Sequence, residues 1–354
     1  MTLKILPKDA MDGWIKNLLV DYRLIAPRLV RDQYVFSEVH SSDLVELNYK
    51  TTILPPKKAL QPTREELIQF NTAENQAYPI IEDTPTVILG VHTCDLHAIR
   101  LLDAVFKKDR LDQHYFSRRQ NTILVGMECL EPCSAHAFCK DMGTLNNPEE
   151  FDLHLIDLGT AYALYIGSEK GKELLEGFNN CLDPTQEDHN LINHVMSKKW
   201  SSFPYQLEAD ITELPSLMTF VHRSSLWEEL GERCLGCGSC NLVCPTCYCF
   251  DIREQVDLSL SVGERIRIWD SCMLDEFATV AGGHNFRSKQ AYRLRHRFLR
   301  KYKYQSIEPG LVGCVGCGRC AEACLVKITP IAVLNQLFRR HSAARKIRQE
   351  VAIV

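Results

Sequence analysis

Cys234-Leu-Gly-Cys237-Gly-Ser-Cys240-Asn-Leu-Val-Cys244-Pro245 is the stretch that decides the reading of the C-terminal part of the chain. It returns as Cys314-Val-Gly-Cys317-Gly-Arg-Cys320-Ala-Glu-Ala-Cys324. Both follow C-x2-C-x2-C-x3-C, the spacing that holds a cubane [4Fe–4S] cluster in ferredoxin-type sequences, where the fourth thiolate of each run reaches across to the other cluster. The expected ligand sets are therefore Cys234, Cys237, Cys240 and Cys324 for one cluster, and Cys314, Cys317, Cys320 and Cys244 for the second. Gly236, Gly238, Gly316 and Gly318 suit such loops, because glycine turns with positive φ and lets backbone N–H groups point at sulfur.

The bland readings of these cysteines fit poorly. A disulfide framework belongs to small chains in oxidising compartments, and structural zinc takes two separated C-x2-C pairs, not runs of four. At 354 residues the chain has room for two or three domains, at ~100–200 residues each. Its composition is that of an ordinary globular protein, with 45% hydrophobic and 24% charged residues and a net charge of −4, which names no partner class. The start Met-Thr-Leu-Lys-Ile-Leu-Pro lacks the apolar core of a secretory signal. No stretch reaches the ~18 apolar residues of a membrane span. The expectation is a cytoplasmic protein without a membrane, its thiols kept for metal.

The expected fold class is α+β and multidomain. Residues 1–220 form an α/β domain with a small, mostly parallel sheet, and residues 221–354 a helical two-cluster domain with a long insertion (250–312) and a C-terminal helix. Trp14, Leu18, Leu19 and Tyr22 recur at helical spacing, and Thr63 reads as an N-cap before Glu65-Glu66-Leu67. Thr86-Val-Ile-Leu-Gly-Val91 and Asn121-Thr-Ile-Leu-Val-Gly-Met127 are short apolar runs that read as buried strands. The helical stretch from Leu96 to Phe106 lies between them, which makes a βαβ unit. Cys94, Cys129, Cys133 and Cys139 follow those strand ends, where open α/β sheets bind ligands. They are the candidate ligands of a third iron–sulfur cluster. One distant cysteine plus C-x3-C-x5-C is no standard signature, however, and free cysteines also serve as small buried hydrophobes.

Phe151 to Ile166 alternates as a hairpin around Gly159-Thr160. Gly167-Ser-Glu-Lys-Gly171 reads as a turn and helix cap, not a phosphate loop. Cys247 and Cys249 crowd the first run without being needed as ligands, so a part in tuning the clusters is the economical reading, whereas Cys272 closes an inserted segment and its role is left open. Residues 287–303 are strongly basic. Helical spacing turns Tyr292, Phe298 and Leu299 inward and the arginines outward. Compensation of anionic clusters and docking are favoured over a nucleic-acid face.

Together these motifs resemble the iron–sulfur β subunits of cytoplasmic sulfhydrogenases and the A subunits of anaerobic sulfite reductases. The resemblance rests on Gly90-Val-His-Thr-Cys94-Asp95-Leu, Gly143-Thr144 with Phe151-Asp-Leu, Cys244-Pro-Thr-Cys-Tyr-Cys-Phe, Trp269-Asp-Ser-Cys272, Gly283-His-Asn-Phe-Arg287 and Gly313-Cys-Val-Gly-Cys-Gly-Arg-Cys320. It implies an electron-transfer subunit with no catalytic site of its own. Such a subunit sits between a flavin- and NAD(P)H-binding subunit and a catalytic subunit, either a nickel–iron hydrogenase or a sulfite reductase. One departure stands out: Leu325 follows the last ligand where the family usually has proline. The alternative is a free-standing iron–sulfur protein that binds nucleic acid through residues 287–303.

Overall fold

The structure is a computed structural model that describes residues 2–148, 151–307 and 310–351. The chain forms two compact units, neither of them continuous in sequence. The first comprises residues 1–134, 144–203 and 251–269, and the second residues 135–143, 204–250 and 270–354.

The first unit carries a seven-stranded sheet. Its strands are β1 (Thr2–Pro7), β2 (Arg23–Val30), β3 (Gln33–Val39), β6 (Thr86–His92), β7 (Thr122–Met127), β8 (Leu153–Asp157) and β9 (Ala161–Ile166). Their spatial order is β1-β9-β8-β7-β6-β2-β3. The centre is parallel (β2, β6, β7, β8) and each flank is closed by antiparallel pairs. The sheet is thus mixed and larger than the small, mostly parallel one expected. β6 and β7 are buried along their whole length, the pattern of strands covered on both faces. Helix α1 (Met11–Asp21) packs Trp14, Ile15 and Leu18 into this core, and Trp14 Nε1 donates to the Leu174 carbonyl at 3.1 Å. Helices α2 (Thr93–Lys107) and α3 (Gln113–Gln120) carry the crossover from β6 to β7. The predicted βαβ unit is present.

A second, four-stranded sheet was not foreseen. It joins β4 (Arg64–Asn71) and β5 (Gln76–Pro79) to β10 (Phe250–Val256) and β11 (Val262–Trp269), in the order β10-β11-β4-β5. The helix expected after Thr63 is therefore a strand, paired antiparallel from Arg64↔Ile268 to Asn71↔Val262. Glu65 explains the choice. Its buried carboxylate accepts hydrogen bonds from Arg118 of α3 and Arg267 of β11, which no helix beginning at Thr63 would supply.

Ser168 caps the short helix α4 (Glu169–Glu173) by accepting from Gly171 N. Helix α5 (Gln186–Ser202) opens on a capping box of Thr185 and Asp188. It delivers Lys199 to a buried site at the end of β7. There Lys199 Nζ donates to Glu128 Oε1 at 2.6 Å and to the Leu145 carbonyl at 2.8 Å, while Glu128 Oε2 lies 3.1 Å from His154 Nε2. Burial opposes the charge on Glu128, but His154 and Lys199 outweigh it and hold the carboxyl below its ordinary range.

The second unit is helical. It contains α6 (Leu214–Phe220), α7 (Leu226–Arg233), α8 (Ser239–Leu242), α9 (Gln290–Leu299), a π-helical turn (Arg300–Tyr304), α10 (Gln305–Ile307), α11 (Arg319–Glu322) and α12 (Pro330–Val351). Gly231 lets α7 cross α9 closely, since a Cβ there would lie 2.7 Å from the Ala291 Cβ. Trp227 and Phe298 meet across that crossing at 5.6 Å between ring centres. Among the described residues no helix is long and apolar enough to cross a membrane.

Replacing Lys199 by Met leaves Glu128 buried without its closest cation. The expected loss is about 3–5 kcal/mol at neutral pH, the scale for breaking a buried ion pair, read as a lower urea midpoint. Because the folded pKa of Glu128 is depressed, its contribution is present above the ordinary carboxyl pKa of ~4.3. It is lost as pH falls through the folded value, so the gap between variant and parent narrows in acid.

Candidate functional site

The two cysteine runs form twin loops in the second unit. In each, a glycine in the left-handed region precedes a one-turn helix: Gly238 (φ 76°) before α8 and Gly318 (φ 76°) before α11. Gly236 (φ 63°) and Gly316 (φ 66°) repeat the conformation one cysteine earlier. At Gly316 a side chain is excluded twice over, since a Cβ would lie 2.6 Å from the backbone of Phe138 and Cys139. At Gly236 a Cβ would make only ordinary contacts, the nearest being Arg293 Nη2 at 3.6 Å.

Cys234, Cys237, Cys240 and Cys324 line one cavity, walled by Met273, Leu294, Arg297 and Ile328. The first three come from the first run and the fourth from the second. Backbone N–H groups face two of these sulfurs: Gly236 N lies 3.4 Å from Cys234 Sγ, and Ile328 N lies 3.3 Å from Cys324 Sγ. Cys237 is exposed, whereas Cys244 is buried. Burial pushes the Cys240 thiol up to about 12 and the Cys314 thiol up to about 11, the latter further raised by Cys320 and Cys244 beside it. Cys244 is thus near enough to Cys314 to act on it.

Two buried cations stand among these thiols. Arg297 of α9 is 6% exposed and Lys301 of the following turn 5%. Arg297 Nε donates to Asn241 Oδ1 at 2.9 Å, and Lys301 Nζ donates to Thr246 Oγ1. Burial works against both charges, yet the thiols around them more than offset it. Cys240, Cys320, Cys247 and Cys244 raise Arg297, and Cys244, Cys247 and Cys314 raise Lys301. Arg293, one turn earlier on the same stripe, is also buried and pairs with Asp275. The expectation that the arginines of residues 287–303 face outward is thus wrong at Arg293 and Arg297. Hydrophobic spacing alone puts charges outside, but here Arg293 pairs with Asp275 and Arg297 lies among the cysteine thiols. That placement favours charge compensation at Arg293 and Arg297, while Arg287, Lys289, Arg295, Arg300 and Lys303 of the same stretch are not buried.

The arrangement fits iron–sulfur clusters. Four soft thiols surround one space, glycines open the loops, and fixed positive charge waits beside groups that become anionic on binding iron. Among the described residues no three His, Cys, Asp or Glu side chains converge on a single ion.

The other cysteines fall elsewhere. Cys94 is buried at the start of α2, and Cys129 and Cys133 follow β7 in the first unit, whereas Cys139 belongs to the second. Cys181 is half-buried in the first unit. Cys247 hydrogen bonds to Cys244. Cys249 and Cys272 hydrogen bond to each other, which pulls Cys272 down to about 6 and raises Cys249. Sequence reading missed Asn241 and Thr246, buried polar residues that bind these thiols and cations, and buried Ser271, which accepts from Asn241 Nδ2 at 3.0 Å. Their signal was position alone, beside or within the cysteine motifs.

This is the architecture of an iron–sulfur protein of the two-cluster type, and residues 233–328 match the family model of the 4Fe-4S dicluster domain. Over 316 residues the chain is 36% identical to the sulfhydrogenase 2 subunit beta of Pyrococcus furiosus, covering 89% of this chain and 92% of that protein. The chain belongs to the family of iron–sulfur β subunits of sulfhydrogenases. No solved structure matches it.

Replacing Gly316 by Ala is expected to cost more than replacing Gly236 by Ala. Both incur the left-handed penalty of about 1–2 kcal/mol, but only Gly316 must also displace backbone. Urea unfolding of the two variants measures the difference.

Proposed function

We propose that this chain is the electron-relay subunit of a cytoplasmic oxidoreductase complex. It works between a flavin- and NAD(P)H-binding subunit and a catalytic subunit of nickel–iron sulfhydrogenase or sulfite reductase type. The carrying observation is the cavity that Cys324 shares with Cys234, Cys237 and Cys240, supported by the likeness to a sulfhydrogenase subunit over most of both chains. On this reading Cys234, Cys237, Cys240 and Cys324 hold one [4Fe–4S] cluster, and Cys314, Cys317, Cys320 and Cys244 hold the other. When bound, such clusters supply one-electron redox chemistry, which lets a two-electron hydride donor feed a one-electron path. The protein's share is placement and field. Its loops fix the thiols, its apolar walls exclude water, and Arg297 and Lys301 favour the more negative state.

Iron and acid-labile sulfide on anaerobically purified protein test the cluster count. About eight irons per chain support two clusters, and about twelve would add a third, for which Cys94, Cys129, Cys133 and Cys139 are the first candidates. Replacing Cys324 by Ser should disturb the cluster of Cys234 and leave the signal of the Cys314 cluster in place. Loss of the second signal instead would sink the crossed ligation. Replacing Arg297 by Leu should make the midpoint potentials more negative with iron content unchanged, as followed by EPR-monitored redox titration.

A further inference from the structure

Four cysteines of the second unit, Cys139, Cys247, Cys249 and Cys272, are left over once eight thiols are given to two clusters, and two of them form a built site. Cys249 and Cys272 hydrogen bond through their side chains. Their backbones are pinned nearby, since Asp270 N donates to the Cys249 carbonyl at 3.0 Å. Cys272 is buried, and a second donor reaches its sulfur: Asn241 Nδ2 at 3.1 Å. The orientation of that amide is fixed at its other end, where Asn241 Oδ1 accepts from Arg297 Nε at 2.9 Å. Two donors converging on one sulfur, with a guanidinium behind them, make a setting for a reactive thiolate and not for an inert buried thiol.

The pair is also wired to both runs. Asn241 follows Cys240 directly in the chain, and its Oδ1 lies 3.9 Å from Cys240 Sγ. Lys301 faces Cys249 and Cys272 as well as Cys244 and Cys314.

We infer that Cys249 and Cys272 are a redox-active dithiol, a two-electron site set beside one-electron clusters. This rests on the cluster reading above for its electron source. In the oxidised form a single S–S bond joins Cys249 Sγ to Cys272 Sγ. Reduction breaks that bond with two electrons, received one from each cluster, and at least one proton. The proton rests on Cys249, which donates it in a hydrogen bond to Cys272 Sγ, and Asn241 holds the charge that develops there. Oxidation returns the electrons singly and releases the proton. The site would pair single electrons, or part a pair, at the point where the chain meets two-electron chemistry. In a reducing compartment a disulfide of this kind is transient and catalytic, not structural.

The test uses the full chain, purified anaerobically and poised with a viologen mediator at a series of potentials. At each poise free thiols are alkylated in denaturant and the peptides are mapped by mass spectrometry. The expected result is a 249–272 cross-linked peptide at oxidising poise that disappears reversibly on reduction, with about eight irons retained throughout. Reductive titration should take up about four electrons per chain, and about two in Cys249→Ser or Cys272→Ser with iron unchanged. Alkylation of both thiols at every poise overturns the proposal. So does loss of about four irons in either variant, which would make the two residues cluster ligands. A reversible cross-link in parent protein holding far fewer than about eight irons upholds the thiol pair and overturns the cluster assignment alone.

Discussion

Two cations buried among thiols set the terms for the helical unit. A guanidinium and an ammonium taken out of water cost several kcal/mol each unless opposite charge meets them. Arg297 and Lys301 meet neutral oxygens on Asn241 and Thr246, and several thiols nearby raise both. The unit is therefore built for anionic contents. Its apolar core, from Trp227 and Phe298 to Leu334 and Leu337, holds α9 and the π-helical turn after it, which carry those two side chains among the cysteines. Packing, electrostatics and ligand placement are one arrangement here.

The loops answer the same demand in backbone form. Each run folds as two left-handed glycines and a single helical turn, so that donors face inward and no side chain intrudes. The loops are not equivalent. Gly316 and Gly318 press against the backbone of residues 136–139, whereas a Cβ at Gly236 would meet its neighbours only at ordinary contact distance. The first run, with exposed Cys237, is also the more accessible of the two.

Much of this was legible in the residues. The cysteine spacing named the loops, and continuous apolar runs placed β6 and β7. Alternation found the β8–β9 hairpin. The failures share a cause: each depended on a partner far away in the chain. Arg64–Asn71 carries a cap-like Thr63 and two glutamates, and nothing local says that Arg267 is waiting for Glu65. β1 reads as an unremarkable start until it lies beside β9. Arg293, Arg297 and Lys301 look like a solvent face because periodicity weighs apolarity and knows nothing of thiolates. Asn241 and Thr246 look like filler between cysteines. Local pattern reports local physics, and these residues answer to distant charge.

The interrupted course of the chain bears on how the protein comes into being. It passes between its units after residues 134, 143, 203, 250 and 269, and the bond from Arg267 to Glu65 spans 202 residues. At ribosomal speeds of ~5–20 residues per second, β4 emerges ~10–40 s before the strand that covers it. Through that interval the nascent chain carries an open strand edge and a lone carboxylate destined for burial. Neither unit can close as a block behind the ribosome, so the final sheet pairing waits for much of the cysteine-rich segment to be synthesised. Synthesis of the first iron-binding loop is thereby tied to completion of a sheet that holds none of its ligands.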